Sequence, residues 1–278
     1  MLDTLPFEYA SAKAPLLVVK GQLGESRAPV SVVLDTGAGA PFSLFLSTKV
    51  AKSLSLALSD EIVPETSTAV GSKRQGYRTA DLPFFSLGPV KLVHTPVAVL
   101  PMIDDMAGQI GRPVDAIIGY QFLRDRRFSI NYPMRKIDLS ASAPSEGEAI
   151  AFTLAAKKPI ILVQAKVNGE GPFTFEIDTG ATVTSLSPET AARAHITPTG
   201  EGVLGGAGGA VTVKRADANL AVGTVKFDLK NVTITDSLTG ISTAAGSQID
   251  GIVGLDYFYR TTLIIDYPNA KVWIALPK

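Results

Sequence analysis

The sequence predicts a mainly β protein built from two similar halves, with a few short helices. Short β-branched segments bounded by Gly, Pro or Asn recur along the chain, as at residues 30–34 (VSVVL) and 262–265 (TLII), and such segments are typical of strands. Helical patterns are few and brief, at residues 47–58 and 187–195, and Ser187 is a suitable N-cap for the second. The third observation is an internal repeat, which sets the domain organisation.

The repeat is a tetrapeptide with matching surroundings. Asp35-Thr36-Gly37-Ala38 returns as Asp178-Thr179-Gly180-Ala181, and each copy follows a hydrophobic strand and precedes one of the two helical patterns. Two further landmarks recur in the same order, a hydrophobic segment that ends in glycine and then a Tyr-Pro pair. They are residues 115–119 and 132–133 in the first half, and residues 250–254 and 267–268 in the second. The shared order and spacing indicate a duplication.

The repeat divides the chain into two lobes. We expect an N-terminal lobe over residues 1–140 and a C-terminal lobe over residues 149–278, each with one copy of the motif. Residues 141–148 between them are small and polar and include Pro and Gly, which is the composition of a linker. Each lobe is long enough to bury its own core.

The composition argues against nucleic-acid and membrane partners. Among the 278 residues, 26 basic side chains balance 26 acidic ones, so the chain has no basic field for a phosphate backbone. The most apolar stretch, residues 92–103, contains a histidine and two prolines and is far shorter than the ~20 residues of a transmembrane helix. We therefore expect no nucleic acid and no membrane span, and we expect no signal peptide at residues 1–10.

The metal-binding residue types are scarce. The chain has no cysteine, which excludes disulfides, thiolate metal sites and a cysteine nucleophile. The two histidines, His94 and His195, are too few for most histidine-based metal sites, so we expect structural roles for both. Asp115 and Asp250 mirror each other and are expected to serve the turns before the glycine-ending strands. The sequence therefore predicts no metal and no cofactor.

A duplicated Asp-Thr-Gly has a direct chemical consequence. An aspartate at a strand end, followed by a small hydroxyl residue and a glycine, puts a carboxylate on a tight turn that a second copy can approach closely. The two copies then offer facing carboxylates, Asp35 and Asp178. Like charges a few Å apart do not both ionise, so one carboxyl keeps its proton while the other is a base.

With its duplicated Asp-Thr-Gly and glycine-ending segments, the chain resembles a pepsin/retropepsin-type aspartic peptidase, of the two-lobed kind found among bacterial retropepsin-like proteins. The resemblance covers nearly the whole chain, and the paired carboxylates of this family are the standard example of the shared-proton effect. It implies a bilobal acid-protease-like fold, with two homologous β-barrel-like lobes, short helices and the active site between the lobes. It implies two catalytic residues and four residues that support them: Asp35 and Asp178, with Thr36, Gly37, Thr179 and Gly180.

The sequence departs from the family pattern after each motif. Ala38 and Ala181 stand where many pepsins place a hydroxyl that donates to the carboxylate. Without that donor the charged form of each carboxylate is less favoured, so we expect higher pKa values for the pair. The expected optimum for activity is therefore mildly acidic to near neutral.

Two glycine-containing segments are candidate flaps. The segment at residues 203–213 resembles a retropepsin-like flap hairpin, and its flexible residues are Gly205, Gly206, Gly208 and Gly209. Its counterpart is expected within residues 68–79, a more polar segment that keeps Gly71 and Gly76. Flexible hairpins of this kind can close over a bound substrate.

The leading functional interpretation is an endopeptidase that acts on an extended peptide or protein substrate. It would work as a monomer with pseudo-two-fold symmetry, and the resemblance suggests an extracytoplasmic location, periplasmic or secreted. Two alternatives stay open from the sequence. One is a catalytically silent peptide-binding module of the same fold, since a cleft can hold an extended peptide without cutting it. The other is a half-site protein that needs a second chain.

Overall fold

The computed structural model describes residues 4–39, 41–64, 70, 76–206 and 208–277. Strands dominate both halves of the chain, and the helices are short. The first half contains β1 Thr4–Tyr9, β2 Leu17–Leu23, β3 Ala28–Leu34, β4 Phe45–Leu46, α1 Thr48–Ser53, β5 Arg78–Leu87, β6 Val90–Val99, α2 Pro101–Ile110, β7 Ala116–Ile118, α3 Tyr120–Leu123, β8 Arg127–Asn131 and β9 Lys136–Asp138. The second half contains β10 Ile150–Ala151, β11 Thr153–Leu154, β12 Ile161–Val167, β13 Glu170–Ile177, β14 Ser185–Leu186, α4 Pro188–Arg193, β15 Gly200–Gly206, β16 Gly209–Val222, β17 Val225–Ile234, α5 Ser237–Ala245, β18 Gly251–Val253, α6 Leu255–Phe258, β19 Thr262–Asp266 and β20 Lys271–Ala275.

In each lobe six strands close into a barrel. The order in the first lobe is β2-β3-β7-β4-β6-β5, and β5 pairs back with β2. The order in the second lobe is β12-β13-β18-β14-β17-β16, and β16 pairs back with β12. The two orders correspond strand for strand, including the parallel pairs β3–β7 and β13–β18. The predicted fold class, mainly β and bilobal with barrel-like lobes, is confirmed.

A six-stranded sheet joins the two lobes. Its order is β10-β20-β19-β8-β9-β1, so three strands come from each half of the chain. At its centre β8 pairs antiparallel with β19, with Ser129 opposite Ile264. This shared sheet holds the two barrels against each other. The predicted linker at residues 141–148 lies between β9 and β10, and the division into lobes at that point stays a prediction.

The apolar core follows the alternation of the strands. In both β2 and β12, the last five residues alternate between buried and exposed side chains, as expected for strands with one face toward a core. Besides the main core, each lobe has a smaller cluster of buried apolar residues that includes residues of one helix. The α2 cluster consists of Leu16, Val18, Val33, Ala98, Leu100, Ile103, Ile110, Val114 and Ile117. The α5 cluster consists of Ala155, Ile160, Leu162, Leu238, Ile241, Ala245, Ile249 and Ile252.

The helices differ from the sequence prediction in extent. The helix predicted over residues 47–58 ends at Ser53, because Ser55 has a φ of 51° and turns the chain away. The helix predicted over residues 187–195 ends at Arg193, and its side-chain N-cap is Ser187 as expected. Helices α2, α3, α5 and α6 were not predicted from the sequence. Within the described ranges, none of the helices is long and apolar enough to cross a membrane.

Candidate active site

Each aspartate of the repeated motif stands just beyond the end of a strand. The backbone N–H of Asp35, after β3, donates to the carbonyl of Ile118 at 3.0 Å, and the N–H of Asp178, after β13, donates to the carbonyl of Val253 at 3.2 Å. Both carbonyls belong to the parallel neighbour strand, β7 or β18. The parallel strand in each lobe therefore fixes where the aspartate leaves the sheet.

The threonines of the two motifs bind each other's backbone across the lobes. The Thr36 hydroxyl donates to the carbonyl of Ile177 at 2.9 Å and accepts from the Thr179 N–H at 3.0 Å. The Thr179 hydroxyl donates to the carbonyl of Leu34 at 3.0 Å and accepts from the Thr36 N–H at 3.0 Å. Both threonine side chains are buried. Four reciprocal hydrogen bonds thus lock the two motifs together.

Each glycine of the motif faces the carboxylate of the opposite motif. A β-carbon on Gly37 would lie 2.9 Å from an oxygen of Asp178, and one on Gly180 would lie 2.5 Å from the carboxyl carbon of Asp35. Both distances are too short for any side chain. Glycine is therefore required at these two positions because the opposite carboxyl occupies the space.

The two carboxyls form a coupled pair. The Asp35 carboxylate accepts from the N–H groups of Gly37 at 2.8 Å and Ala38 at 3.1 Å, and the Asp178 carboxylate accepts from Gly180 at 2.7 Å. Burial raises the pKa of Asp35 well above its usual range, and the negative charge of Asp178 raises it further. Burial also raises the pKa of Asp178, against the backbone N–H groups and the Asp35 hydrogen bond that lower it. Each carboxyl lies close enough to the other to shift its pKa, which favours one shared proton over two separate charges.

The glycine-ending strands lie directly beside the motif loops. The N–H of Tyr120 donates to the carbonyl of Ala38 at 2.9 Å, and the N–H of Leu255 donates to the carbonyl of Ala181 at 2.9 Å. A β-carbon on Gly119 would overlap the Ala38 carbonyl oxygen, and one on Gly254 would overlap the backbone of Val183. These glycines are thus needed for the close approach of two backbone segments.

Asp115 and Asp250, the first residues of the two glycine-ending segments, each make a structural contact in their own lobe. The Asp115 carboxylate accepts from the N–H of Ser31 at 2.7 Å, and the Asp250 carboxylate accepts from the N–H of Thr174 at 2.7 Å. Ser31 and Thr174 lie on β3 and β13, the strands that lead to the motifs. The expected turn role fits this position, because the carboxylates tie the start of the glycine strand to the motif strand.

A comparison with known families identifies the same two segments. Residues 19–122 and residues 163–257 match the sequence model of the aspartyl protease family. Each match contains one Asp-Thr-Gly, and together they span more than half of the chain. The chain belongs to the aspartyl protease family. The predicted resemblance to two-lobed retropepsin-like aspartic peptidases is thereby confirmed, and no curated protein matches the chain.

The glycine-rich segment of the second lobe is a hairpin that reaches the first lobe. Strands β15 and β16 pair up to Gly206 opposite Gly209. The N–H of Gly208 donates to the carbonyl of Val70 in the first lobe at 2.9 Å, and a β-carbon on Gly206 would lie 2.7 Å from the Val70 β-carbon. Gly205 is less confined, because the nearest neighbour of a β-carbon on it would be the Gln109 side chain at 3.8 Å. The hairpin tip therefore crosses from one lobe to the other.

The first-lobe flap candidates are only partly described. Gly71 lies outside the described residues. Gly76 lies beside the bridge between Val63 and Tyr77, and a β-carbon on it would overlap the Ile62 side chain. Gly76 is thus packed against its own lobe, whereas Val70 of the first lobe contacts the β15–β16 hairpin. The flap roles of all six glycines stay predictions.

Among the described residues, neither histidine belongs to a group of side chains that could bind a metal ion. His94 lies on the exposed face of β6, with Nδ1 3.0 Å from the Asp81 carboxylate. His195 follows α4 with a φ of 54°. Across the ranges that the structure describes, no three His, Asp or Glu side chains are grouped so that they could hold a metal ion.

Sequence analysis missed one acidic residue near the pair. Glu176 lies on β13 two residues before Asp178, and its side chain is buried. The signal in the sequence was the difference between the two strands before the motifs, VSVVL in the first lobe and FTFEI in the second. An acidic residue at a position where the repeat has an apolar one marks a local departure from the duplication.

Proposed function

We propose that this protein is an aspartic endopeptidase that hydrolyses peptide bonds with water activated between Asp35 and Asp178. One carboxylate removes a proton from the water as its oxygen attacks the scissile carbonyl carbon, and the protonated carboxyl stabilises the developing oxyanion. The amide nitrogen then takes up a proton from the pair, the carbon–nitrogen bond breaks, and the pair is left with one proton as before. The reaction needs no covalent intermediate with the enzyme.

The observation that carries this proposal is the reciprocal fit of the two motifs. Each Asp-Thr-Gly supplies a threonine to the other motif and a glycine that makes room for the opposite carboxyl. Such an arrangement brings two acidic groups together despite their repulsion. Raised pKa values in a coupled pair are what a site needs to hold an acid and a base at once.

An extended peptide or protein is the substrate we propose. The two barrels flank the carboxyl pair, and the tip of the β15–β16 hairpin extends from the second lobe to Val70 of the first. A hairpin in that position can offer backbone hydrogen bonds to an extended chain and exclude water from it. We propose a monomer, because both motifs come from one chain.

The test is the cleavage of a diverse peptide library, followed by mass spectrometry across a range of pH. Asp35→Asn and Asp178→Asn should each abolish turnover and leave the fold intact, and the double variant should be hardly worse than either single one, because the pair acts as a unit. Asp125→Asn is the matched control, since Asp125 is exposed and distant from the motifs in sequence. Substantial turnover in either active-site variant would refute the proposal.

The same experiment separates the two alternatives. A silent peptide-binding module would bind library peptides and leave them uncut at every pH. A half-site protein would lose specific activity on dilution, since its site would form only in a dimer, whereas a single-chain enzyme keeps the same activity per molecule.

A further inference from the structure

Two buried tyrosine hydroxyls have no hydrogen-bonding partner among the described residues. In that part of the chain three buried side-chain oxygens make no hydrogen bond, the hydroxyls of Tyr132 and Tyr267 and one carboxyl oxygen of Asp256. The two tyrosines are the equivalent residues of the repeated Tyr-Pro pair, and they are only 2% and 8% exposed. A buried hydroxyl without a partner is destabilising, and phenylalanine would avoid that loss at both positions.

The tyrosines occupy equivalent places in the sheet that joins the lobes. Tyr132 follows β8, and its N–H donates to the carbonyl of Thr261 at 3.2 Å. Tyr267 follows β19, and its N–H donates to the carbonyl of Arg126 at 3.3 Å. Because β8 and β19 are antiparallel partners, the two tyrosines lie at opposite ends of the same strand pair.

Aromatic rings from both halves of the chain enclose the two tyrosines. The ring of Tyr132 packs against Phe7 and Phe258, with centroids 6.2 and 6.0 Å away. The ring of Tyr267 contacts three aromatic rings, at centroid distances of 5.4, 6.2 and 5.8 Å: Tyr120, Phe128 and Phe152. This packing on several sides keeps each hydroxyl inside the protein.

The same contacts connect each tyrosine to a motif loop. Tyr120, which touches Tyr267, is the first residue of α3, and its N–H donates to the carbonyl of Ala38. Phe258, which touches Tyr132, lies on α6, and the first residue of α6 donates its N–H to the carbonyl of Ala181. Each tyrosine thus packs against the helix that supports the motif loop of the other half.

The carboxyl pair acts electrostatically on both hydroxyls. Burial raises the pKa of Tyr132 well above its usual range, and Tyr9 and then Asp178 raise it further. Burial likewise raises the pKa of Tyr267, and Tyr120 and then Asp35 raise it further. Both hydroxyls therefore stay protonated, and each lies near the carboxyl of the opposite half of the chain.

Other charged groups surround this region. The remaining titratable and charged side chains around the tyrosines and the carboxyl pair are Tyr9, Tyr120, Arg127, Arg135, Lys158, Glu176 and Asp266. Burial raises the pKa of Glu176 well above its usual range, the charge of Asp178 raises it further, and the Lys158 ammonium lowers it. A tyrosine-to-phenylalanine substitution leaves all these groups in place, so its effect reports on the hydroxyl.

Water is the partner that fits the two hydroxyls. Buried polar groups that lack a protein partner are generally bonded to enclosed water, and a chain of 278 residues is expected to enclose about ten such molecules. Each hydroxyl has a second tyrosine and a carboxyl close enough to influence its titration. A water molecule beside it therefore has the several polar neighbours that a buried water requires.

We propose that Tyr132 and Tyr267 each bind an enclosed water molecule beside the carboxyl pair, and that these hydroxyl–water groups stabilise the singly ionised state of the pair. Hydroxyl and water dipoles turn their protons toward a nearby negative charge, which favours the ionised form of a carboxyl. The tyrosines are positioning residues, because they act on the pair through the water. The water binding goes beyond the proposed endopeptidase function, and only its effect on turnover rests on that function.

Tyr132→Phe and Tyr267→Phe test the water binding. Each substitution removes the hydroxyl and keeps the aromatic packing. A hydroxyl bonded to water contributes a hydrogen bond, so each variant should lower the Tm by about 2–4 °C. Tyr259→Phe is the matched control, since it makes the same change at an exposed ring and should keep the Tm. An equal or higher Tm in either buried variant would overturn the inference for that tyrosine.

The positioning role is measured from the titration of the pair, without turnover. The carboxyl carbons of Asp35 and Asp178 are followed by 13C NMR across pH and assigned with Asp35→Asn and Asp178→Asn. Loss of a donor to the charged form should raise the lower apparent pKa of the pair by roughly 0.5–1 pH unit in each buried tyrosine variant. A lower Tm with an unchanged titration would show a merely structural role and would overturn the positioning role.

Peptide cleavage and a crystal structure complete the test. The acid limb of kcat/KM should move toward neutral pH in both buried tyrosine variants, and an unmoved limb in an active enzyme would overturn the positioning role alone. If the peptide library stays uncut while the NMR titration shifts, the endopeptidase function is refuted and the role of the tyrosines is supported. A crystal structure of the wild type should show an ordered water within hydrogen-bonding distance of each hydroxyl, and a dry, closely packed hydroxyl would refute the water binding.

Discussion

Replacement of Thr36 by valine tests the reciprocal lock between the motifs. Valine has nearly the same volume and shape as threonine but lacks the hydroxyl, so the substitution removes two hydrogen bonds without opening a cavity. The Thr179 N–H and the Ile177 carbonyl then lose the partner that lies at 3.0 and 2.9 Å. Both residues that carry the lock are buried, with 0% of Thr36 and 2% of Thr179 exposed, so water does not readily replace the hydroxyl.

The magnitude follows from the two groups that are left without partners. Each buried donor or acceptor that loses its hydrogen bond costs about 1–3 kcal/mol, so Thr36→Val should lower the free energy of unfolding by about 2–6 kcal/mol. Thr36→Ser keeps the hydroxyl and loses one methyl group, which costs about 1 kcal/mol. Thr179→Val should have a loss similar to that of Thr36→Val, because its hydroxyl makes the mirrored pair of contacts.

The assay is equilibrium unfolding in urea with linear extrapolation to zero denaturant. Trp273 is the single tryptophan of the chain, and it lies on β20 in the sheet that joins the lobes, so its fluorescence reports on the region where the halves meet. Turnover per folded molecule should also fall in Thr36→Val, since the carboxyls are no longer held in register. A valine variant as stable as the serine variant would refute the reasoning.

Three further predictions concern the carboxyl pair and the hairpin. Gly180→Ala should abolish turnover and lower the Tm, since its β-carbon would lie 2.5 Å from the opposite carboxyl carbon; a fully active variant would contradict the close approach. Gly206→Ala should reduce kcat/KM more than Gly205→Ala, because only the first is crowded by the other lobe, and equal effects would argue against a role for that contact. Ala38→Ser combined with Ala181→Ser should move the bell-shaped pH profile toward acid, since added hydroxyl donors favour the charged carboxylates and lower the raised pKa values of the pair. A wild-type optimum at strongly acid pH, or an unmoved profile in a folded, active double variant, would show that these alanines do not set the protonation of the pair.

The sequence predicts the parts of the fold that belong to the internal repeat. The two motifs, the two glycine-ending strands and the order of elements around them recur in both halves, and the structure gives each pair the same hydrogen bonds. Glycine at positions 37 and 180 was predictable as well, because a tight turn and a close approach both demand it. The repeat therefore predicts the barrels and the meeting of the carboxyls together.

Helices α2 and α5 were missed for different reasons. The segment of α5, SLTGISTAA, is rich in Ser, Thr and Gly, which have low helix propensity. It is helical because Leu238, Ile241 and Ala245 are buried in the α5 cluster, and this is a tertiary effect that no local pattern contains. In α2, Pro101 follows an apolar strand directly, so the sequence pattern runs from strand to helix without a polar break.

Glu176 was missed for a related reason. A single acidic residue in an apolar strand normally marks the solvent face, and only the packing of α5 over that face reverses the expectation. The contact between Val70 and the β15–β16 hairpin could not be predicted either, since it depends on how the two lobes are oriented. Contacts between distant segments come from the assembled fold, whereas the motif chemistry comes from local sequence.

The near-symmetry of the site has a consequence for how a substrate is oriented. A peptide has a direction, and a site with true two-fold symmetry would accept either direction equally. The backbone around Asp35 and Asp178 is closely matched in the two lobes, so it gives little basis for a choice. Side chains that differ between equivalent positions must provide it, and Val33 against Glu176 is such a difference beside the carboxyl pair.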